Sequence, residues 1–124
     1  MIISKYNQQT EILETEFTKD VTLDEIVNYI TSIKENEIYH RFLKIKINAT
    51  NSNFNFSVND LKTIVIENDK LLEKYDFISD AIIVDNPRTT AISMLFQKLA
   101  EKNDKFRFNV FSSDEGASAW LENY

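Results

Sequence analysis

The chain has 124 residues, 43% hydrophobic and 27% charged, with a formal net charge of −6. This is one domain, 1–124, and its nine Phe and five Tyr supply enough apolar surface for a core, which excludes a disordered chain. The acidic balance disfavours nucleic acid and anionic membrane surfaces, and the absence of cysteine excludes disulfides, thiolate metal sites and a cysteine nucleophile.

Other absences narrow the function classes. No apolar run approaches the roughly 20 residues of a membrane-spanning helix. The opening Met1-Ile2-Ile3-Ser4-Lys5 lacks the basic region and long apolar segment of a signal peptide, so the expectation is a cytoplasmic domain. Gly116 is the single glycine, whereas phosphate-cradling loops and nucleophile elbows need several. His40 is the single histidine and sits between Tyr39 and Arg41 before a strand, the setting of an exposed connector residue. No cofactor, metal or catalytic set is expected, and the protein is read as not an enzyme.

The first elements are strands at 2–6 and 11–17, joined by the turn Asn7-Gln8-Gln9-Thr10. Thr22 and Glu25 then form a capping box, with Val21 and Ile26 at staple spacing. Leu23, Ile26, Ile30 and Ile33 recur at helical spacing and predict a helix over 22–35. A third strand over 42–48 alternates Leu43, Ile45 and Ile47 with Lys44 and Lys46, one face buried and the other wet or lightly covered. Glu14 and Glu16 would complement those lysines from a neighbouring strand.

An asparagine-rich loop follows. Ser57 is then the predicted cap of a second helix, with Asp60 in its first turn, Phe56 and Leu61 as staple, and an end near Tyr75. Residues 77–84 form a fourth strand whose Ala81-Ile82-Ile83-Val84 is apolar on both faces, as in a central strand. Asn86-Pro87 starts a third helix with Pro87 at the first helical position, and Ala91, Met94, Leu95, Phe96 and Leu99 are its predicted packing stripe. A fifth strand covers 106–111, and residues 112–115 offer a further capping box for a last helix. The order β-β-α-β-α-β-α-β-α predicts an α/β fold: a mixed, mostly parallel five-stranded sheet with about four helices.

This layout, closed by Val110-Phe111-Ser112-Ser113-Asp114-Glu115-Gly116-Ala117-Ser118-Ala119-Trp120-Leu121 and carrying Asp85-Asn86-Pro87-Arg88-Thr89-Thr90-Ala91 into the third helix, resembles the SpoIIAA-like branch of the STAS superfamily. Small bacterial proteins there are often described as STAS/SEC14-like. The resemblance implies a SpoIIAA-like fold and non-enzymatic work by protein binding. In members of the branch a serine opening the helix after the third strand is a phosphorylation switch. Ser57 corresponds by position, but the Asp-Ser-Ser-Gly-like signature is replaced by Asn53-Phe54-Asn55-Phe56-Ser57-Val58-Asn59-Asp60.

In open α/β sheets ligands favour the carboxyl ends of parallel strands, which gathers the loops 48–56, 85–90 and 112–114. The interaction or switch candidates there are Ser57, Asn53, Phe54, Asp60, Arg88 and Thr89. Each has a structural alternative: Asn, Ser and Asp cap and turn, and Phe54 with Phe56 can serve as staple and core. Asp76, Asp80 and Asp85 straddle one strand and read as solvated carboxylates, and Trp120 reads as core at the sheet margin. The functional reading is a STAS-like module binding another protein, with a homodimer through an uncovered sheet face or helix as one form of it. The alternative is a SEC14-like carrier holding a small apolar or lipid ligand between sheet and helices, which requires a cavity of a few hundred cubic ångströms.

Overall fold

The computed structural model describes residues 1–123. Two strands, β1 (Ile2–Asn7) and β2 (Ile12–Thr22), form an antiparallel hairpin. Asn7 makes the turn: its Oδ1 accepts from the N–H groups of Gln9 at 3.0 Å and Thr10 at 3.2 Å, and Glu11 closes it in the left-handed region at φ 58°. Next come α1 (Leu23–Glu35), β3 (Phe42–Asn55), a 3-10 turn (Val58–Asp60) and α2 (Leu61–Leu72). The chain finishes with β4 (Phe77–Ile83), α3 (Pro87–Ala100), β5 (Phe106–Phe111) and α4 (Asp114–Glu122).

The strands lie in chain order, β1-β2-β3-β4-β5, and every pair after the hairpin is parallel. Each crossover steps to the next strand in the same sense, so α1, α2 and α3 share one face of the sheet. Their Ile26, Ile30, Ile33, Leu61, Ile64, Leu72 and Ile92 join Leu13, Phe17, Leu43, Ile45, Ile47, Ile78 and Ile82 in one apolar core. The other face carries only α4, whose Ala117 and Leu121 close on Ala81 and Ile83 beside Phe111 and Trp120. This is the α/β architecture expected from the element order.

Local signals set most boundaries. Thr22 Oγ1 accepts from the Glu25 N–H at 3.2 Å while Glu25 Oε1 accepts from the Thr22 N–H at 3.1 Å, the reciprocal capping box. Asn86 caps α3 by accepting from the Thr89 N–H at 2.9 Å, with Pro87 at the first helical position. Glu14 stands opposite Lys46 in the β2–β3 register, and their charges approach to 3.8 Å. The last helix is capped by Ser113, one residue beyond the start of the expected box over 112–115, and its Oγ accepts from the Gly116 N–H at 3.1 Å. A Cβ on Gly116 would meet that oxygen at 3.2 Å and Phe111 Cδ1 at 3.3 Å.

Three expectations are corrected. The asparagine-rich stretch is strand: β2 runs on to Thr22 and β3 to Asn55, paired from Thr18↔Asn51 to Thr22↔Asn55. Between Glu16↔Asn48 and Thr18↔Asn51 the register shifts, with one extra residue in β3, a bulge. The bulge turns Ser52 and Phe54 inward and leaves Asn51, Asn53 and Asn55 exposed. Second, α2 ends at Leu72, and Tyr75 lies beyond it, buried, with its hydroxyl donating to the Ile33 carbonyl at 2.8 Å. Third, α3 faces the sheet with Thr89, Ile92, Ser93, Phe96 and Ala100, whereas Met94 is 56% exposed and Leu95 and Leu99 also face outward. The small Ser93 and Ala100 let the helix lie close to the sheet, so the bulkier residues are left outside.

Candidate functional site

Two features lie at the helix-covered face, a surface groove and a smaller cavity that reaches in toward the sheet. The groove runs between the segment from the end of β3 to the 3-10 turn and the first half of α3 and spans about 620 Å³, with Phe56, Ser57, Val58, Arg88, Ala91 and Leu95 among its lining. Val58 and Leu95 are 55% and 43% exposed, so the groove has an apolar lip. Arg88 fixes its geometry. Its Nη2 donates to the carbonyl oxygens of Phe54 at 3.3 Å and Phe56 at 3.2 Å, tying the end of β3 to the first turn of α3.

Of the candidates taken from the sequence, Ser57 and Arg88 line this groove, and Asn53, Phe54, Asp60 and Thr89 do not. Ser57 is exposed, and Asp60 Oδ2 accepts from its N–H at 2.9 Å and from its hydroxyl at 3.2 Å. Asp60 is therefore engaged within its own turn. Asn53 is exposed on the outer parity of β3. Phe54 is buried, stacked on Phe56 with centroids 5.1 Å apart and edge-on to Phe17 at 6.4 Å. Thr89 is fully buried, and its hydroxyl donates to the Asn86 carbonyl at 3.3 Å. Phe54 thus lines the cavity, and Thr89 serves the start of α3. Of the three loops expected to gather, the third departs: Asp114 pairs with Lys46 at 3.0 Å on the opposite face of the sheet.

The cavity lies beneath α2 and α3 against the sheet and measures about 80 Å³. Its wall is mostly aromatic and aliphatic, with Phe17, Phe54, Phe96 and Phe108 among the rings, and Phe56 and Ile92 line both it and the groove. Four polar side chains interrupt the wall: Tyr29 from α1, Asn68 from α2, Asp80 from β4 and Ser93 from α3. Asp80 stands between Ile45 and Phe108 in the register, on the inward parity it shares with Ile78 and Ile82. Its Oδ1 and the Ser93 Oγ are buried without a hydrogen-bond partner in the protein. Burial pushes the Asp80 carboxyl up to about 8. Tyr29 is raised as well, by burial first and then by the neighbouring Asp80 charge, while its hydroxyl bonds Thr15 at 2.7 Å.

Asp80 is the residue that sequence reasoning missed. Asp76 and Asp85 are exposed, as expected of solvated carboxylates, but Asp80 is 9% exposed. The signal was its parity: two residues from Ile78 and two from Ile82 in a central strand, it must face the core that they face. His40 is exposed at the other end of the sheet, its Nε2 3.6 Å from Glu11 and its Nδ1 accepting from the Phe42 N–H at 3.1 Å. Trp120 is half-buried beside Phe111 at 5.6 Å, at the margin of the α4 layer. Among the described residues no helix is long and apolar enough to cross a membrane.

No family model matches the chain, and no curated protein matches it. Among solved structures it is similar to an uncharacterized protein from the DUF3478 family with a SpoIIAA-like fold from Shewanella loihica PV-4. The two share 16% sequence identity at a TM-score of 0.58, over 98% of this chain and 92% of that one. With the order β1 to β5, three helices on one face and one on the other, the chain has a SpoIIAA-like fold.

Proposed function

We propose that the protein is a non-catalytic STAS-like module that binds another protein along the groove between the 3-10 turn after β3 and α3. The observation that carries this reading is the outward apolar face of α3. Met94, Leu95 and Leu99 are each more than 40% exposed, and Leu95 joins Val58 at the groove lip. Val58 and Leu95 put exposed apolar side chains at a concave surface, and Met94 and Leu99 extend the apolar face of α3 beyond it, the kind of surface that a partner covers. The Arg88 hydrogen bonds to the Phe54 and Phe56 carbonyls tie α3 to the segment after β3 without a ligand, which lowers the ordering cost of binding.

The carrier alternative draws no support from the cavity. About 80 Å³ is well short of the roughly 300 Å³ at which ligand pockets of ordinary size begin.

Affinity capture from the host lysate tests the reading. The wild-type chain is expected to retain a defined protein partner, Val58→Glu and Leu95→Glu to lose it, and Ile38→Glu, at an exposed site elsewhere, to keep it. Equal retention by all four chains overturns the groove. A regulatory serine is tested in the same experiment: Ser57→Glu abolishes capture and Ser57→Ala preserves it if Ser57 is a switch, and equal capture by both discards that role.

A further inference from the structure

We infer that the cavity between Asp80, Asn68 and Ser93 is a binding site for a small primary amine with an apolar body, held as its ammonium ion against the Asp80 carboxylate. This does not depend on the groove's being a protein-binding surface. The starting point is geometric. A carboxyl oxygen and a hydroxyl, from β4 and α3, are both buried and unpartnered, and both line one cavity. Buried polar groups in folded proteins are almost always hydrogen-bonded, so two orphans in one space point to a group that the protein does not itself supply.

The chemistry of the wall selects that group. Asp80 accepts hydrogen bonds and, when ionised, needs a positive charge. Among the lining residues no lysine, arginine or histidine provides one. A primary ammonium offers three donors, enough for Asp80, the Ser93 hydroxyl oxygen and the Asn68 side-chain carbonyl. The aromatic rings around it attract a cation through their faces and take up an apolar body by burial. A carboxylate or phosphate would find only the neutral donors of Asn68, Ser93 and Tyr29, with no cation to balance its charge and like-charge repulsion from Asp80 once that residue ionises. The net charge of −6 also favours cations over anions at the approach to the protein.

Size limits the ligand. A water-sized atom occupies on the order of 10–15 Å³ by the same measure, so 80 Å³ takes about five to eight non-hydrogen atoms. Butylamine and benzylamine bracket that range; a lipid lies far above it.

The titratable groups at the site are Asp80 on β4 and Tyr29 on α1, while the faces presented by α2, α3 and β5 contribute Asn68, Ser93 and Phe108. With the Asp80 carboxyl raised to about 8, the unliganded site is mostly protonated at neutral pH and must release that proton when an ammonium enters. A simple amine stays protonated to roughly pH 10, like lysine. Affinity therefore rises with pH, by up to about tenfold per unit below pH 8, and levels off above it.

The test uses the intact chain with benzylamine, benzyl alcohol and benzoate at pH 8.5, followed by calorimetry and by amide and side-chain NMR shifts. Benzylamine is expected to saturate with shifts at Asn68, Asp80 and Ser93. Benzyl alcohol should bind at least about tenfold more weakly, the cost of one lost charge-assisted bond, and benzoate not at all. Asp80→Asn should weaken benzylamine at least tenfold and leave benzyl alcohol unchanged, and Ser93→Leu, which fills the space, should abolish both. Amine and alcohol binding alike, shifts confined to surface carboxylates, affinity independent of pH between 6 and 8.5, or no saturable binding of benzylamine each overturns the proposal. If Asp80→Asn does not fold, Ser93→Leu and the pH series still decide it.

Discussion

The guanidinium carbon of Arg41 lies 4.0 Å from the centre of the Tyr75 ring, and the Tyr75 hydroxyl donates to the Ile33 carbonyl at 2.8 Å. Arg41 also donates to the carbonyl oxygens of Asn36 at 2.9 Å, Tyr39 at 2.8 Å and Lys74 at 3.0 Å. One side chain thus joins the segment after α1, the start of β3 and the segment after α2.

The first prediction follows from that junction. Arg41→Ala is expected to lower unfolding free energy by about 2–3 kcal/mol, since several charged hydrogen bonds and a cation–π contact go together. Arg41→Lys should recover little, because an ammonium cannot fork to three carbonyls while lying flat on a ring. Tyr75→Phe should cost about 1 kcal/mol. Urea unfolding of the three variants gives the ranking, and a lysine variant as stable as wild type would contradict it.

Asp80 makes stability depend on pH in an uncommon direction. Its carboxyl is raised from 3.8 to about 8 on folding, so the folded chain binds one more proton than the unfolded chain between those values. Stability must therefore fall as pH rises through that window, and the whole penalty is present above pH 8. Asp80→Asn is expected to match wild type near pH 4 and to exceed it by on the order of a few kcal/mol at pH 8.5. Paired urea titrations across this range measure it, and a constant difference would show that Asp80 does not titrate there.

Lys46 reaches Asp114 at 3.0 Å and the Ser118 hydroxyl at 3.3 Å, binding β3 to α4. Its side chain is 18% exposed against 68% for Asp114, so the pair is partly screened. A double-mutant cycle with Lys46→Met and Asp114→Asn should give a coupling of about 0.5–1 kcal/mol, diminished in high salt. A coupling unaffected by salt would mean that packing, and not charge, holds α4.

The orientation of α3 separates two classes of substitution. Ile92→Ala removes a buried side chain and should cost about 2–4 kcal/mol. Met94→Ala and Leu99→Ala, on the outer face, should change stability by less than about 0.5 kcal/mol. Thermal unfolding distinguishes them, and comparable losses at positions 92 and 94 would place the helix in a different rotation.

Much of this architecture was legible in the residues, and the failures have physical causes. Capping residues such as Thr22, Asn86 and Pro87 announced their helices because they satisfy backbone groups locally, without help from the rest of the fold. The alternation of Leu43, Ile45 and Ile47 announced a strand with one buried side. Asparagine misled at 48–55, where its turn preference concealed the two-residue period of Asn51, Asn53 and Asn55 against Ser52, Phe54 and Phe56. In α3 the largest apolar residues suggested the wrong face, since close packing on the sheet favoured Ser93 and Ala100. At the groove Ser57 and Arg88 could be placed together from the order of the elements. The cavity could not, because Asp80, Asn68 and Ser93 come from three elements whose convergence depends on tertiary packing alone.

The bulge in β3 acts as a phase correction. Upstream of it odd-numbered positions point into the core, and downstream even-numbered ones do, so Phe54 reaches Phe17 only because one residue is spare. Deleting Thr50 would put the strand back in step with its neighbour, rotate Ser52 and Phe54 to solvent and carry Asn51 and Asn53 inward. Substitutions at Thr50 and Asn51, which lie outside the core, should thus be tolerated far better than any change of length. The wall shared by groove and cavity hangs on a count of residues as much as on their kinds.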